Sequence, residues 1–75
     1  MTYQGHKSWS YWNVSLWIGN DEDLYNLARA CIREAKTKDE AARNFVELLH
    51  SIGKTKTPDG AKYSVSAVRA ALIGL

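Results

Sequence analysis

Within seventeen positions, WSYWNVSLWIGNDEDLY at residues 9–25, the chain places all three of its tryptophans and two of its four tyrosines. The whole chain has 75 residues, and a domain of that size buries only about 60% of the surface that its unfolded form exposes. Its core therefore has to come from side chains that bury much area each, and an aromatic buries on the order of 150–250 Å². Three Trp and four Tyr are still too many for so little interior, so part of the cluster is expected at the surface. Aromatics left there are favoured anchors of protein interfaces. Tyr3, Trp9, Tyr11 and Trp12 are the candidates.

The length allows one domain, and 45% hydrophobic with 24% charged residues is the composition of a folded globular chain. No apolar run reaches the ~18 residues of a membrane span, and no signal-peptide pattern opens the sequence, so a cytoplasmic protein without a membrane partner is expected. Cys31 is the only cysteine. It has no intramolecular disulfide partner and suits a reducing compartment. The net charge of +2 is unevenly spread. Residues 21–50 hold seven acids against five bases, whereas residues 51–75 hold Lys54, Lys56, Lys62 and Arg69 against Asp59 alone. That bias is weaker than the stripe of a dedicated DNA binder, and opposite in sign to a DNA mimic.

Residues 1–7 have no periodicity and are expected to form a flexible N-terminus ahead of a domain at 8–75. Trp9, Trp12, Leu16 and Trp17 fall on one helical face, with Ser8 as its cap, yet Trp12, Val14, Leu16 and Ile18 also alternate as in a strand. Helix is the preferred reading. Gly19 suits the C′ position of that helix and Asn20 the N-cap of the next, whose first turn carries Asp21, Glu22 and Asp23. Leu24, Leu27, Ala28, Cys31, Ile32 and Ala35 then share a face. Thr37 and Glu40 have capping-box spacing and open a third helix with Ala41, Phe45, Leu48, Leu49 and Ile52 inward, ended by Gly53. KTKTPDGAKY, residues 54–63, reads as a turn in which Pro58 fixes φ, Asp59 bonds locally and Gly60 takes a positive φ, with short flanks that pair as a hairpin. Ser64 caps a last helix with Val65, Val68, Ala71 or Leu72, and Leu75 on one face. The fold class is mainly α, a single-domain bundle of three to four short helices.

Little in the chain suits catalysis. His6 lies in the N-terminal segment, and His50 sits near a helix C-terminus, where interaction with the helix dipole accounts for it. Cys31 falls on an apolar helix face, the position of a small hydrophobe rather than a nucleophile. One cysteine and two histidines without close spacing make no tetrahedral metal site, and the acidic triplet lacks the alternating ligands of a calcium loop. No glycine-rich phosphate loop is present. No enzyme activity, no metal and no cofactor is expected.

Two resemblances add context. LLHSIGKTKTPDGAKYSVSAVRAAL is similar to a segment of the DNA-binding recombinase domain of large serine recombinases, with Gly53, Thr57, Gly60, Tyr63, Ser64, Ser66, Val68, Arg69 and Leu72 at the matching positions. The resemblance implies that Ser64, Ser66 and Arg69 face phosphate or base edges. It covers about a third of the chain, lacks the catalytic domain, and has Ala70 where that family commonly has a second basic residue. The second covers nearly the whole chain. Trp-Asn-Val-x-Leu-Trp-Ile-x-Asn-Asp-Glu followed by Leu-Tyr, Trp12 to Tyr25, resembles a family of small uncharacterised proteins of tailed bacteriophages. It implies an accessory phage protein in the cytoplasm of the host cell. The leading expectation is a protein that acts by binding a host or phage protein, with a homodimer as a variant. The alternative is a small DNA-binding module in which Lys54, Lys56 and Lys62 touch phosphates and the helix after Ser64 enters the major groove.

Overall fold

Each helix in the computed structural model, which describes residues 8–75, starts at a residue whose side-chain oxygen accepts a bond from the N–H three positions on. Ser8 Oγ accepts from Tyr11 and opens α1 (Trp9–Asn20). Asp21 accepts from Leu24 and opens α2 (Glu22–Glu34), Thr37 accepts from Glu40 and opens α3 (Lys38–Ser51), and Ser64 accepts from Ala67 and opens α4 (Val65–Ile73). Such a cap satisfies one of the four N–H groups that a helix leaves unpaired at its start, and contributes about 1 kcal/mol. The mainly helical bundle expected from the sequence is thereby the observed one.

The joint between α1 and α2 differs from the expectation. Gly19 is not a left-handed C′ residue and Asn20 is not the cap; α1 runs through both. Asp21 alone makes the joint. Its backbone N–H closes α1 on the Trp17 carbonyl at 2.9 Å while its carboxylate caps α2, and its extended conformation (φ −94°, ψ 119°) turns the chain without a positive φ. At the end of α3 the expectation holds. Gly53, at φ 80°, donates to His50 O and Lys54 donates to Leu49 O, which is the double bond pattern of a Schellman cap.

α2 and α4 each pack against both α1 and α3, so the four helices close a ring around one core. Phe45, Ile18, Leu49, Leu72, Val14 and Val68 fill it, with the Tyr63 ring edge-on to Phe45 at 6.5 Å. Leu24, Ala28 and Cys31 are buried on α2 as its periodicity implies, and Leu27, Ile32 and Ala35 pack partly against them. Two helices depart from the expected faces. On α3, Leu48 (47% exposed) and the C-cap Ile52 (66%) point outward, and Ala42 and Val46 are buried instead. α3 is pressed by neighbours on two sides, so its buried arc is centred on Ala42, Phe45 and Leu49 and the rim position of Leu48 is left open. On α4, Val65 stays in the exposed first turn and Ala67 takes the inward place.

Residues 54–63 form a small two-stranded turn rather than a loose loop. A single antiparallel bridge pairs Lys56 with Lys62, and Thr57 N donates to Ala61 O at 2.7 Å, leaving Pro58, Asp59 and Gly60 as a three-residue tip. Gly60 has φ 98°, the positive value that the third position of such a tip requires. The inner side of this ribbon, Thr57, Ala61 and Tyr63, is buried.

Candidate functional site

The apolar character of α1 extends almost all round the helix, and the structure divides it into two sides. The inner side carries Val14 and Ile18 into the core together with Asn13, which is 1% exposed. A buried amide must find partners for its polar atoms or lose about 1–3 kcal/mol each. Asn13 finds them in the ribbon tip. Its Nδ2 donates to Asp59 Oδ2 at 2.9 Å, and its Oδ1 accepts from the Thr57 hydroxyl at 2.5 Å. Thr57 Oγ1 in turn accepts from Ala61 N at 3.0 Å, so one hydroxyl closes the turn and reaches the helix. Trp17, one turn after Asn13 and on the same flank, donates its indole N–H to the same Asp59 Oδ2, also at 2.9 Å. These bonds, from Asn13 first and then Trp17, hold the Asp59 carboxyl below its ordinary pKa. The aspartate of the turn therefore bonds across the fold rather than locally. Among the described residues, no buried side-chain polar atom lacks a partner.

The outer side of α1 bears Trp9 and Leu16, each 37% exposed, with half-buried Trp12 between them at the i, i+3, i+7 spacing of a single stripe. Tyr11 and Trp17 are half-buried and pack against the core. Tyr3 and His6 lie outside the described residues. Of the binding candidates read from the sequence, Trp9 and Trp12 thus share an outward stripe, Tyr11 does not, and Leu16 joins them in a role that the aromatic count alone did not suggest.

The basic candidates separate as well. Lys56 and Lys62 are exposed on the outer side of the ribbon, and Lys54 is exposed at its start. Arg69 of α4 forms an ion pair with Asp39 in the first turn of α3, both side chains about half exposed. The Ser64 hydroxyl is occupied as the cap of α4, and Ser66 is exposed.

A cleft of about 340 Å³ between α2 and α3 is lined by Cys31, Glu34, Asn44, Glu47, Leu48 and Ser51. Burial, and secondarily the Glu34 carboxylate, push the Cys31 thiol above its ordinary pKa, so at neutral pH it is a protonated thiol and a poor nucleophile. Among the described residues, no three His, Cys, Asp or Glu side chains gather closely enough to hold a metal ion, and no helix is long and apolar enough to cross a membrane.

The motif WNVSLWIGNDE is therefore largely an instruction for folding: Asn13 and Trp17 hold the ribbon tip, Val14 and Ile18 fill the core, and Asp21 joins two helices. A sequence signal for the clamp did exist. A lone amide inside an apolar helical run, with an indole four residues on, needs a partner from elsewhere in the chain. None of the curated proteins and none of the solved structures matches the chain. A family model does, over residues 1–73, and the chain belongs to that family, DUF7249, a family of unknown function.

Proposed function

We propose that the protein acts by binding another protein, without catalysis, as a phage accessory factor in the cytoplasm of the host bacterium. The observation that carries the reading is the outward stripe of Trp9, Trp12 and Leu16. The core is filled from the other side of α1, and the ribbon is held by Asn13 and Trp17, so neither core nor clamp accounts for these three side chains. Tryptophans at the centre of an interface commonly supply 2 kcal/mol or more each. The phage setting rests on the likeness of the Trp12–Tyr25 segment to small tailed-phage proteins.

The DNA-module alternative has less support in its major-groove form. Arg69 already faces Asp39, which offsets the charge that would approach a phosphate, and the Ser64 hydroxyl is engaged in its cap. The test is capture from host lysate with tagged protein, with and without nuclease, beside the Leu16→Ser variant. A defined protein retained in both arms by the wild type and lost by the variant is the expected result. Equal retention by the variant contradicts the reading. Sedimentation at two concentrations addresses a homodimer: association that the same variant abolishes makes the partner a second copy of the chain.

A further inference from the structure

The ribbon at 54–63 carries a like-charge pair that its own fold does not neutralise. Tyr63 N donates to Thr55 O at 3.0 Å and Thr57 N to Ala61 O at 2.7 Å, one bond on either side of the Lys56–Lys62 bridge. That pattern makes Lys56 and Lys62 a directly opposed, non-hydrogen-bonded pair, the closer of the two antiparallel pairings, with Cα atoms about 4.5 Å apart and side chains on the same face. Equal charges so placed oppose folding. Lys54, two residues before Lys56, is exposed as well. The opposite side is the buried one, so the Lys56 and Lys62 ammonium groups project outward, with the exposed Lys54 close by in the chain.

Among the described residues no carboxylate lies within ion-pair distance of Lys54, Lys56 or Lys62; the ion pair there is Arg69 with Asp39. The one acid of the ribbon, Asp59, has its Oδ2 taken by Asn13 and Trp17 on the α1 side. The arrangement holds the negative charge against α1 and leaves three positive charges in an open row.

We propose that the outer face of the 54–62 ribbon binds the phosphate backbone of a nucleic acid without regard to sequence. Lysine meets a phosphate oxygen as a compact point charge with rotatable donors, and several such charges without a neutralising acid match a ligand whose negative charges repeat at close spacing, as along a nucleic-acid backbone. The open row suits a polyanion. Indifference to sequence is expected because no helix or planar Arg, Asn or Gln group on the ribbon is placed to enter a groove, Arg69 and Asn13 are engaged within the fold, and lysines on flexible stems contact the backbone as point charges. The contact is made by the ribbon and not by α4, and it is independent of the stripe on α1.

The experiment is fluorescence anisotropy with a labelled 20-nucleotide duplex, titrated with the whole protein at salt concentrations from 20 to 200 mM. Binding at 20 mM is expected to weaken with salt, with a slope of log K on log salt of about −2 to −3, the value for two or three phosphate contacts. Lys56→Glu with Lys62→Glu should abolish binding at 20 mM, and Lys54→Ala should flatten the slope by about 1. Arg33→Glu with Arg43→Glu, the same charge change on exposed positions of α2 and α3, should retain binding. Circular dichroism checks each fold, and Lys56→Gln with Lys62→Gln replaces the reversal should it unfold. Absence of wild-type binding at 20 mM, equal loss in the helix control, or retention in the ribbon variant overturns the proposal. So does preferential binding of the wild type to anionic phosphatidylglycerol vesicles over DNA.

Discussion

Asn13 and Asp59 stand 46 positions apart and are joined by a 2.9 Å hydrogen bond from the amide of a buried helix residue to the carboxylate of an exposed turn. With Trp17 on the same oxygen and Thr57 on the other end of the amide, this contact fixes the ribbon to α1.

Removing the amide strands its partners. Asn13→Ala should destabilise the domain by about 2 kcal/mol, since Thr57 loses an acceptor in a buried place and a small cavity opens. For a chain of this size that lowers Tm by about 8–16 °C. Thermal unfolding followed by circular dichroism reads it, and the Asn13→Ala, Asp59→Ala double variant should lose less than the sum of the singles because both break the same contact. Additive losses would mean that the two residues act separately.

Acid should loosen the same contact. Asp59 has its pKa lowered in the folded state, so its contribution is present above the ordinary aspartate range and is lost as the pH falls through the folded value. Below about pH 4 the wild type should lose Tm faster than Asp59→Asn, which has no proton to take up there. Parallel melting profiles of the two proteins from pH 6 to pH 2.5 would contradict this.

The glycines separate backbone demand from space. An added Cβ meets nothing within 4 Å at Gly19, Gly53 or Gly60, so only conformation distinguishes them. Gly53→Ala and Gly60→Ala impose a positive φ on alanine and should destabilise by about 1 kcal/mol each. Gly19→Ala, inside α1, should stabilise by about 0.5–1 kcal/mol. Urea titration of the three variants gives the signs, and the same sign for all three would refute the reading of Gly19.

Cys31 should behave as a buried, protonated thiol. Labelling by a maleimide at pH 7 is expected to be far slower in the native protein than in urea, and to rise with pH only above the ordinary thiol range. Rapid native labelling at pH 7 would show a reactive cysteine and reopen the question of chemistry in the α2–α3 cleft.

Much of the fold was legible because helix ends are local chemistry. Thr37, Ser64 and Gly53 act as caps wherever the chain places them, and their roles follow from spacing alone. The facing of α1 was not legible in the same way. Val14 and Ile18 are no more apolar than Leu16 or Trp9, so periodicity could not tell the inner side from the outer; the buried polar group, Asn13, marks it. The sequence around Asp59 points to a local turn bond, because its actual partners lie 46 and 42 positions away, beyond any short-range pattern. Leu48 and Ile52 looked like core residues on their own helix, and only the placement of α2 and α4 against α3 exposes them.

The most direct measurement compares three proteins in one quantitative capture from host lysate, with and without nuclease: the wild type, Trp9→Ser with Leu16→Ser, and Lys56→Glu with Lys62→Glu. The expected result is a protein partner that survives nuclease and is retained by the wild type and the lysine variant but lost by the stripe variant. A partner retained equally by the stripe variant, or wild-type retention that vanishes entirely with nuclease, would contradict it.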